Sequence, residues 1–285
     1  MKTSSFSTKD FLTVIVLGHP VNSHPDISLI ERTVESLKLL NLAPETKIVL
    51  SHDRPKRDLT KQKKVNFDFY LDNLSKRYRD ASNLIITVTP KHSFLSGNIR
   101  HALTHVETKY VLLVQHDLAF SQSVNIRALL SAMESHEEIK HVRFNKRPNY
   151  VKEGWDFYPQ ERLEFVKEKS FNTDFGDLEL LTTLAWSDQN HLTTVTYYRD
   201  LVLPLCSKYK VYPEDMLNPF TRSSLFGFFG NFVYGSLSDD AFIDDLDGSK
   251  GRWEEMTRLD SFKRRAKMSI HYRINKFKIL KMVLK

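Results

Sequence analysis

Cysteine is almost missing from this chain: Cys206 is the only one in 285 residues. That excludes an internal disulfide framework and a cysteine-built zinc site, and a reducing, cytoplasmic compartment is the expectation. Long apolar runs are missing too. No segment approaches the roughly 18 residues that span a bilayer. The opening residues Met1–Asp10 lack the continuous apolar core of a signal peptide. Internal repeats and low-complexity linkers are also absent, so the chain does not read as a solenoid or a string of modules.

Acid is missing from one end. Residues 261–285 hold nine cations (Lys263, Arg264, Arg265, Lys267, Arg273, Lys276, Lys278, Lys281 and Lys285) and no carboxylate. Since the formal net charge is +7, residues 1–260 carry −2. A mildly acidic globule with a basic tail is not the even basic coat of a nucleic-acid binder. In the tail, Ile270, Ile274, Phe277 and Leu284 recur at helical steps among the cations. Such a helix suits either an anionic membrane surface or docking on the globule with its basic face in water.

What is present is ordinary globular material, 41% hydrophobic and 27% charged. The first 150 residues alternate strand-like and helix-like segments. Thr13–Leu17, Lys47–Ser51, Leu84–Thr89, Tyr110–Val114 and His141–Phe144 are short apolar runs. Between them lie helical patterns at 27–37, 67–78, 98–106 and 124–135, the first capped by Asp26. This spacing predicts βαβ units: a mostly parallel α/β sheet flanked by helices, in a Rossmann-like arrangement. Right-handed crossovers gather the strand ends on one rim, bringing Pro20, Asp53, Pro90 and Asp117 together. Residues 147–180, with Trp155 and Tyr158, read as polar and loop-rich; His191–Thr196 reads as a strand and Arg199–Leu205 as a short helix. The preferred division is one catalytic-size domain, 1–260, in halves 1–118 and 119–260, followed by the tail 261–285.

The most informative run is Tyr110-Val-Leu-Leu-Val-Gln-His-Asp117. A buried strand ending in a carboxylate lifts that charge to the ligand-binding edge of an open sheet, where it can hold a divalent cation against a diphosphate. With Val14-Ile-Val-Leu-Gly-His-Pro20, Lys47-Ile-Val-Leu-Ser-His-Asp53 and Ser96-Gly-Asn-Ile-Arg-His-Ala102, the run resembles the GT-A-type glycosyltransferases, particularly the family-2-like group. The resemblance covers roughly residues 12–118 and, more loosely, 186–220. It implies a GT-A-like fold and sugar transfer from a nucleoside-diphosphate sugar to a hydroxyl acceptor, a glycan or lipid-linked glycan. It also implies assistance by Mn²⁺ or Mg²⁺, with Asp117 as the direct metal ligand and Gln115 beside it in the metal site. One departure stands out: Gln115 replaces the first acid of the D-x-D motif, which leaves an amide oxygen in place of a charge.

By the same resemblance Asp53 contacts the nucleoside, and Pro20, Asn98 and Arg100 lie close enough to reach the nucleotide. Tyr212-Pro-Glu-Asp215 matches the acidic pair near the acceptor, which makes Asp215 the candidate general base and Glu214 its substrate-binding neighbour. Trp186 and Asp188 are candidates for the acceptor pocket. Each has a plainer alternative: a turn residue for Asp53, a solvated helix residue for Arg100, a core ring for Trp186, a helix start at Pro213. The aromatic run Leu225–Tyr234 reads as core ahead of a sugar-stacking surface. Asp239, Asp240, Asp244, Asp245 and Asp247 lack EF-hand spacing and read as a solvated loop. Gly248–Trp253 is a weak candidate to close over a diphosphate. Two rivals stay open. A nucleotidyltransferase would need a glycine-rich loop that Gly18-His-Pro-Val-Asn-Ser23 does not supply. A non-catalytic GT-A-like binding module, attached through its basic tail, is favoured by Gln115.

Overall fold

In the computed structural model the described residues are 7–21, 23–149, 165–206, 212–222, 225–247, 273, 275, 276 and 279. The expectations for Trp155, Tyr158, Gly248–Trp253 and most of the tail lie outside them.

A helical turn α1 (Thr8–Phe11) leads into β1 (Leu12–Gly18), α2 (Ser28–Ser36), β2 (Ile48–His52), α3 (Lys61–Arg77) and β3 (Leu84–Val88). Then follow α4 (Phe94–Ala102), β4 (Tyr110–Gln115), β5 (Leu118–Phe120), α5 (Ile126–Ser135) and β6 (His141–Arg143). The second half holds β7 (Glu168–Thr173), β8 (Gly176–Thr182), β9 (His191–Thr194) and a π-type turn over Tyr197–Val202. It ends with α6 (Leu203–Cys206), α7 (Pro213–Thr221), α8 (Phe226–Phe229), β10 (Asn231–Tyr234) and β11 (Ile243–Asp245).

Among the described residues the main sheet has nine strands, in the order β3-β2-β1-β4-β9-β6-β10-β8-β7. The pairings make it mostly parallel, with β9 and β8 running against the others. β1 is buried at every position because helices cover both faces. Its residues alternate strictly. Val14 and Val16 join Leu112, Val114, Ile30, Phe67 and Leu129 on one face. Ile15 and Leu17 join Val111, Leu113, Ile99, Tyr198 and Leu217 on the other.

Two elements differ from the sequence expectation. The helix expected from 67 begins at Lys61, where the Thr60 hydroxyl accepts from Lys63 N at 3.3 Å. The loop-rich reading of 147–180 gives way to the hairpin β7–β8 at the sheet edge. β7 looked polar because only Phe171 along it is buried. The aromatic run behaves as core: Phe229, Phe232, Val233 and Tyr234 are buried. It breaks at Gly230, where φ is +55° and a Cβ would lie 2.2 Å from the Glu138 carbonyl.

In the tail, Ile279 is fully buried in the second core cluster and Asn275 is buried, while Arg273 and Lys276 are exposed. Among the described residues no helix is long and apolar enough to cross a membrane.

Candidate active site

The parallel strands deliver their C-terminal ends to one rim. At β1 the chain turns through His19 and Pro20; Pro20 is half-buried. Gly18 is needed there, since a Cβ would lie 2.3 Å from the His52 ring nitrogen. The His52 side chain is fully enclosed and burial pushes its pKa down to about 3, with His116, His24 and His19 adding to the effect. His24 stacks on Tyr70 at 3.9 Å between centroids, and the His19 and His116 rings meet edge to face at 4.7 Å.

Asp53 is buried, and its oxygens organise the turn after β3. Oδ1 accepts from the Thr89 hydroxyl at 2.9 Å and from Ser93 N at 2.7 Å. Oδ2 accepts from Phe94 N at 2.9 Å and lies 2.8 Å from His92 Nδ1. Phe94 sits in the left-handed region with φ of +59°, a conformation that Asp53 helps to hold.

Asn98 is also buried. Its amide donates to the carbonyls of Gly18 (3.2 Å) and Ser51 (3.0 Å), and its oxygen accepts from the Ser51 hydroxyl at 2.7 Å. It braces the ends of β1 and β2, with both amide hydrogens committed. Arg100 lies two residues further along α4 and donates to the Leu203 carbonyl at 3.3 Å. Because α4 starts at the rim and returns beside the sheet, Arg100 is about 9 Å along the helix from its first residue.

Asp117 meets two acids that the sequence reading left in a solvated loop. β5 and β11 pair antiparallel, with Asp245 opposite Leu118, and Leu246 N donates to the Asp117 carbonyl at 2.8 Å. Asp117, Asp245 and Asp247 thereby bring one carboxylate oxygen each within 4.8 Å of one another. Lys146 Nζ sits 2.7 Å from Asp245 Oδ2. Burial raises the Asp245 carboxyl pKa; Lys146 opposes the shift, and a side-chain hydrogen bond with Asp247 reinforces it. Three clustered carboxylates form a hard donor set of the kind that fits a divalent cation.

Gln115, which the sequence placed beside Asp117 as a ligand, donates its side-chain amide to the Asp188 carbonyl at 2.9 Å. Asp188 reaches α7 from there. Glu214 Oε2 accepts from the Ser187 hydroxyl at 3.2 Å and Asp188 N at 3.3 Å, and Glu214 N donates to Asp188 Oδ2 at 3.4 Å. Asp188 Oδ1 is sealed without a partner, and burial, then Glu214, lifts this carboxyl well above the usual carboxylate range. Asp215 is half-buried in the first turn of α7, beside this pair. Pro213 does open that helix, so the plain and the chemical readings of the segment coexist. Trp186 is fully buried and stacks on His141 at 4.8 Å between centroids. It is part of the core, and exchanges backbone bonds with the Asn218 side chain at 3.0 and 3.1 Å.

Sequence reasoning missed Asp245, Asp247 and Asn190. Asn190, fully buried, accepts from Gln115 N at 2.9 Å and donates to the Leu118 carbonyl at 2.8 Å, bracketing the Asp117 turn. The acidic run itself was visible; its pairing with β5, across half the chain, was not.

No protein-family model matches the chain. No curated protein matches it either. Solved structures do. TarS 1-349 of S. aureus in complex with UDP-GlcNAc aligns at 13% identity and TM-score 0.47, over 92% of this chain and 66% of that one. The mannosyltransferase PcManGT of Pyrobaculum calidifontis, in complex with GDP-Man and Mn²⁺, aligns at 13% and 0.48, over 93% and 64%. GalNAc-T7 with UDP, GalNAc and Mn²⁺ aligns at 13% and 0.51, over 79% of this chain and 43% of that one. The chain spans less than two thirds of the length of each. With its mostly parallel sheet and helices on both faces, this chain has the GT-A-like fold of glycosyltransferases.

Proposed function

We propose that this protein is a divalent-metal-assisted, inverting glycosyltransferase that moves a sugar from a nucleoside-diphosphate donor to a hydroxyl acceptor. The observation that carries the proposal is the meeting of Asp117 with Asp245 and Asp247 at the strand-end rim. GalNAc-T7, which shares the fold, is described with UDP and Mn²⁺, and this supports a nucleotide and a cation here. Residues 1–118 supply the nucleotide side, while 119–260 supply the acceptor side and two of the three cation-binding acids.

Asp117, Asp245 and Asp247 would hold the cation, which when bound would supply positive charge against the departing diphosphate. The protein's own groups do the rest. Asp53 holds the 89–94 turn that faces the nucleoside, and Pro20 shapes the turn opposite. Asp215 takes the proton from the acceptor hydroxyl as its oxygen bonds to the anomeric carbon. The bond from that carbon to the diphosphate oxygen breaks in the same step, and the nucleoside diphosphate leaves with the electron pair. Glu214 and Asp188 fix the start of α7 beneath Asp215. The nine cations of residues 261–285 suit an acidic acceptor or an anionic membrane surface.

Thermal shift against a panel of nucleoside diphosphates and nucleotide sugars, with and without Mn²⁺, tests this. A ligand at 100 times its Kd adds about 2.7 kcal/mol of stability. The expected result is a Mn²⁺-dependent rise with one nucleotide, lost in Asp117→Ala and in Asp245→Ala. No rise with any nucleotide overturns the proposal. Gln115 favours one second reading, a binding module without turnover: it predicts the same shift with no release of nucleoside diphosphate from the donor, with or without acceptor.

A further inference from the structure

Gln115 occupies the position of the first motif acid, yet its side chain makes a bond that no carboxylate can make. The partner is a carbonyl oxygen, so the contact requires a donor, and Nε2 supplies it at 2.9 Å. An ionised acid there would set negative charge against the Asp188 carbonyl and leave that oxygen unpaired. The bond belongs to a larger fixture. The short turn from Ser187 to Asn190 grips the Gln115–Leu118 segment through three bonds, two of them on Asn190. From its other side the same turn grips the first residues of α7 through Ser187, Asp188 and Glu214.

We infer that Gln115 is a positioning residue: its amide fixes the 187–190 turn, and with it the Glu214–Asp215 end of α7, relative to Asp117. On this view Gln115 is no weakened metal ligand, and replacing it by an acid harms the protein instead of repairing it. The inference rests on the proposed transferase reading for its consequence on turnover, but not for its structural half.

The test compares wild type, Gln115→Glu and Gln115→Met, using Mn²⁺ with UDP as the binding probe and the donor found in the panel for turnover. In Gln115→Glu at pH 8, kcat is expected to fall about tenfold for the lost bond, while the Mn²⁺ affinity and the donor KM stay within about twofold, because Gln115 bonds Asp188 and Asn190 and none of the three clustered acids. Gln115→Met is expected to show the same kcat deficit at unchanged donor KM, since a thioether cannot donate to the Asp188 carbonyl either. Tighter Mn²⁺ binding in Gln115→Glu with undiminished kcat overturns the inference, and so does undiminished kcat in Gln115→Met. If wild type neither binds the nucleotide nor turns over, the transferase reading fails, and amide exchange decides the positioning role alone. Exchange across 187–190 and 213–221 is then expected to speed up about tenfold in Gln115→Glu; unchanged exchange overturns it.

Discussion

A single side chain can hold a whole turn in place, and Asp53 is the example at the rim. Its two oxygens take backbone hydrogens from Ser93 and Phe94 and a hydroxyl from Thr89. Asp53→Asn keeps the shape but turns an NH₂ toward a donor. Bonds to a charged group contribute about 1.5–3 kcal/mol each, so the variant is expected to lose about 2 kcal/mol, read from the urea midpoint at unchanged m-value. A midpoint equal to wild type would show that the 89–94 turn does not depend on this carboxylate. Asp53, Asp117 and Asp215 were legible as candidates because each closes a recognisable run. The inward turn of Trp186 was legible as the plainer alternative, a core ring, and the ring is fully buried. Asp245 and Asp247 were hidden, because acidic spacing within a loop does not reveal which strand the loop pairs with.

The elements that the sequence disclosed are those buried on both faces. β1, β2 and β4 are apolar runs because helices cover them, and their parallel register follows from the intervening helices. Where an element sits at the edge, the signal fades. The β7–β8 hairpin carries its polar side outward and passes for loop, and α3 hides its first turns in lysine and glutamine. Close approach between strands is also invisible in a sequence. Gly18 leaves room for the His52 ring, and Gly18→Ala forces overpacking that costs about 1–3 kcal/mol. In a His52→Ala background the same change is expected to cost under about 0.5 kcal/mol, because the obstacle is gone. Equal costs in both backgrounds would place the strain elsewhere.

Across the whole molecule, buried imidazoles set the response to acid. His52 is pushed down to about 3 and His191 to about 4, and His141 falls well below its ordinary 6.5, burial being the first cause in each. Unfolded, all three bind protons near 6.5, so the unfolded state holds more protons as the pH drops below that value. Their contribution to stability is therefore intact above pH 6.5 and is lost as the pH falls toward 4, at up to about 1.4 kcal/mol per pH unit for each. Asp188 acts in the opposite direction, since its raised carboxyl favours the folded state less as the pH rises above 3.8. His24 is likewise pushed down to about 4 by burial, and Asp245 joins Asp188 among the raised carboxyls. With four imidazoles against two carboxyls, the melting temperature is expected to fall steadily from pH 7 to pH 5. A flat profile over that range would mean that the imidazoles are not enclosed as described.

The pairing of β5 with β11 has a consequence for how the protein comes into being. Asp117 emerges from the ribosome with the first half of the chain, while Asp245 and Asp247 follow only after nearly all the sheet has been made. A nascent chain halted before β11 therefore carries only one of the three clustered acids. The cluster forms once β11, the last strand among the described residues, has paired with β5.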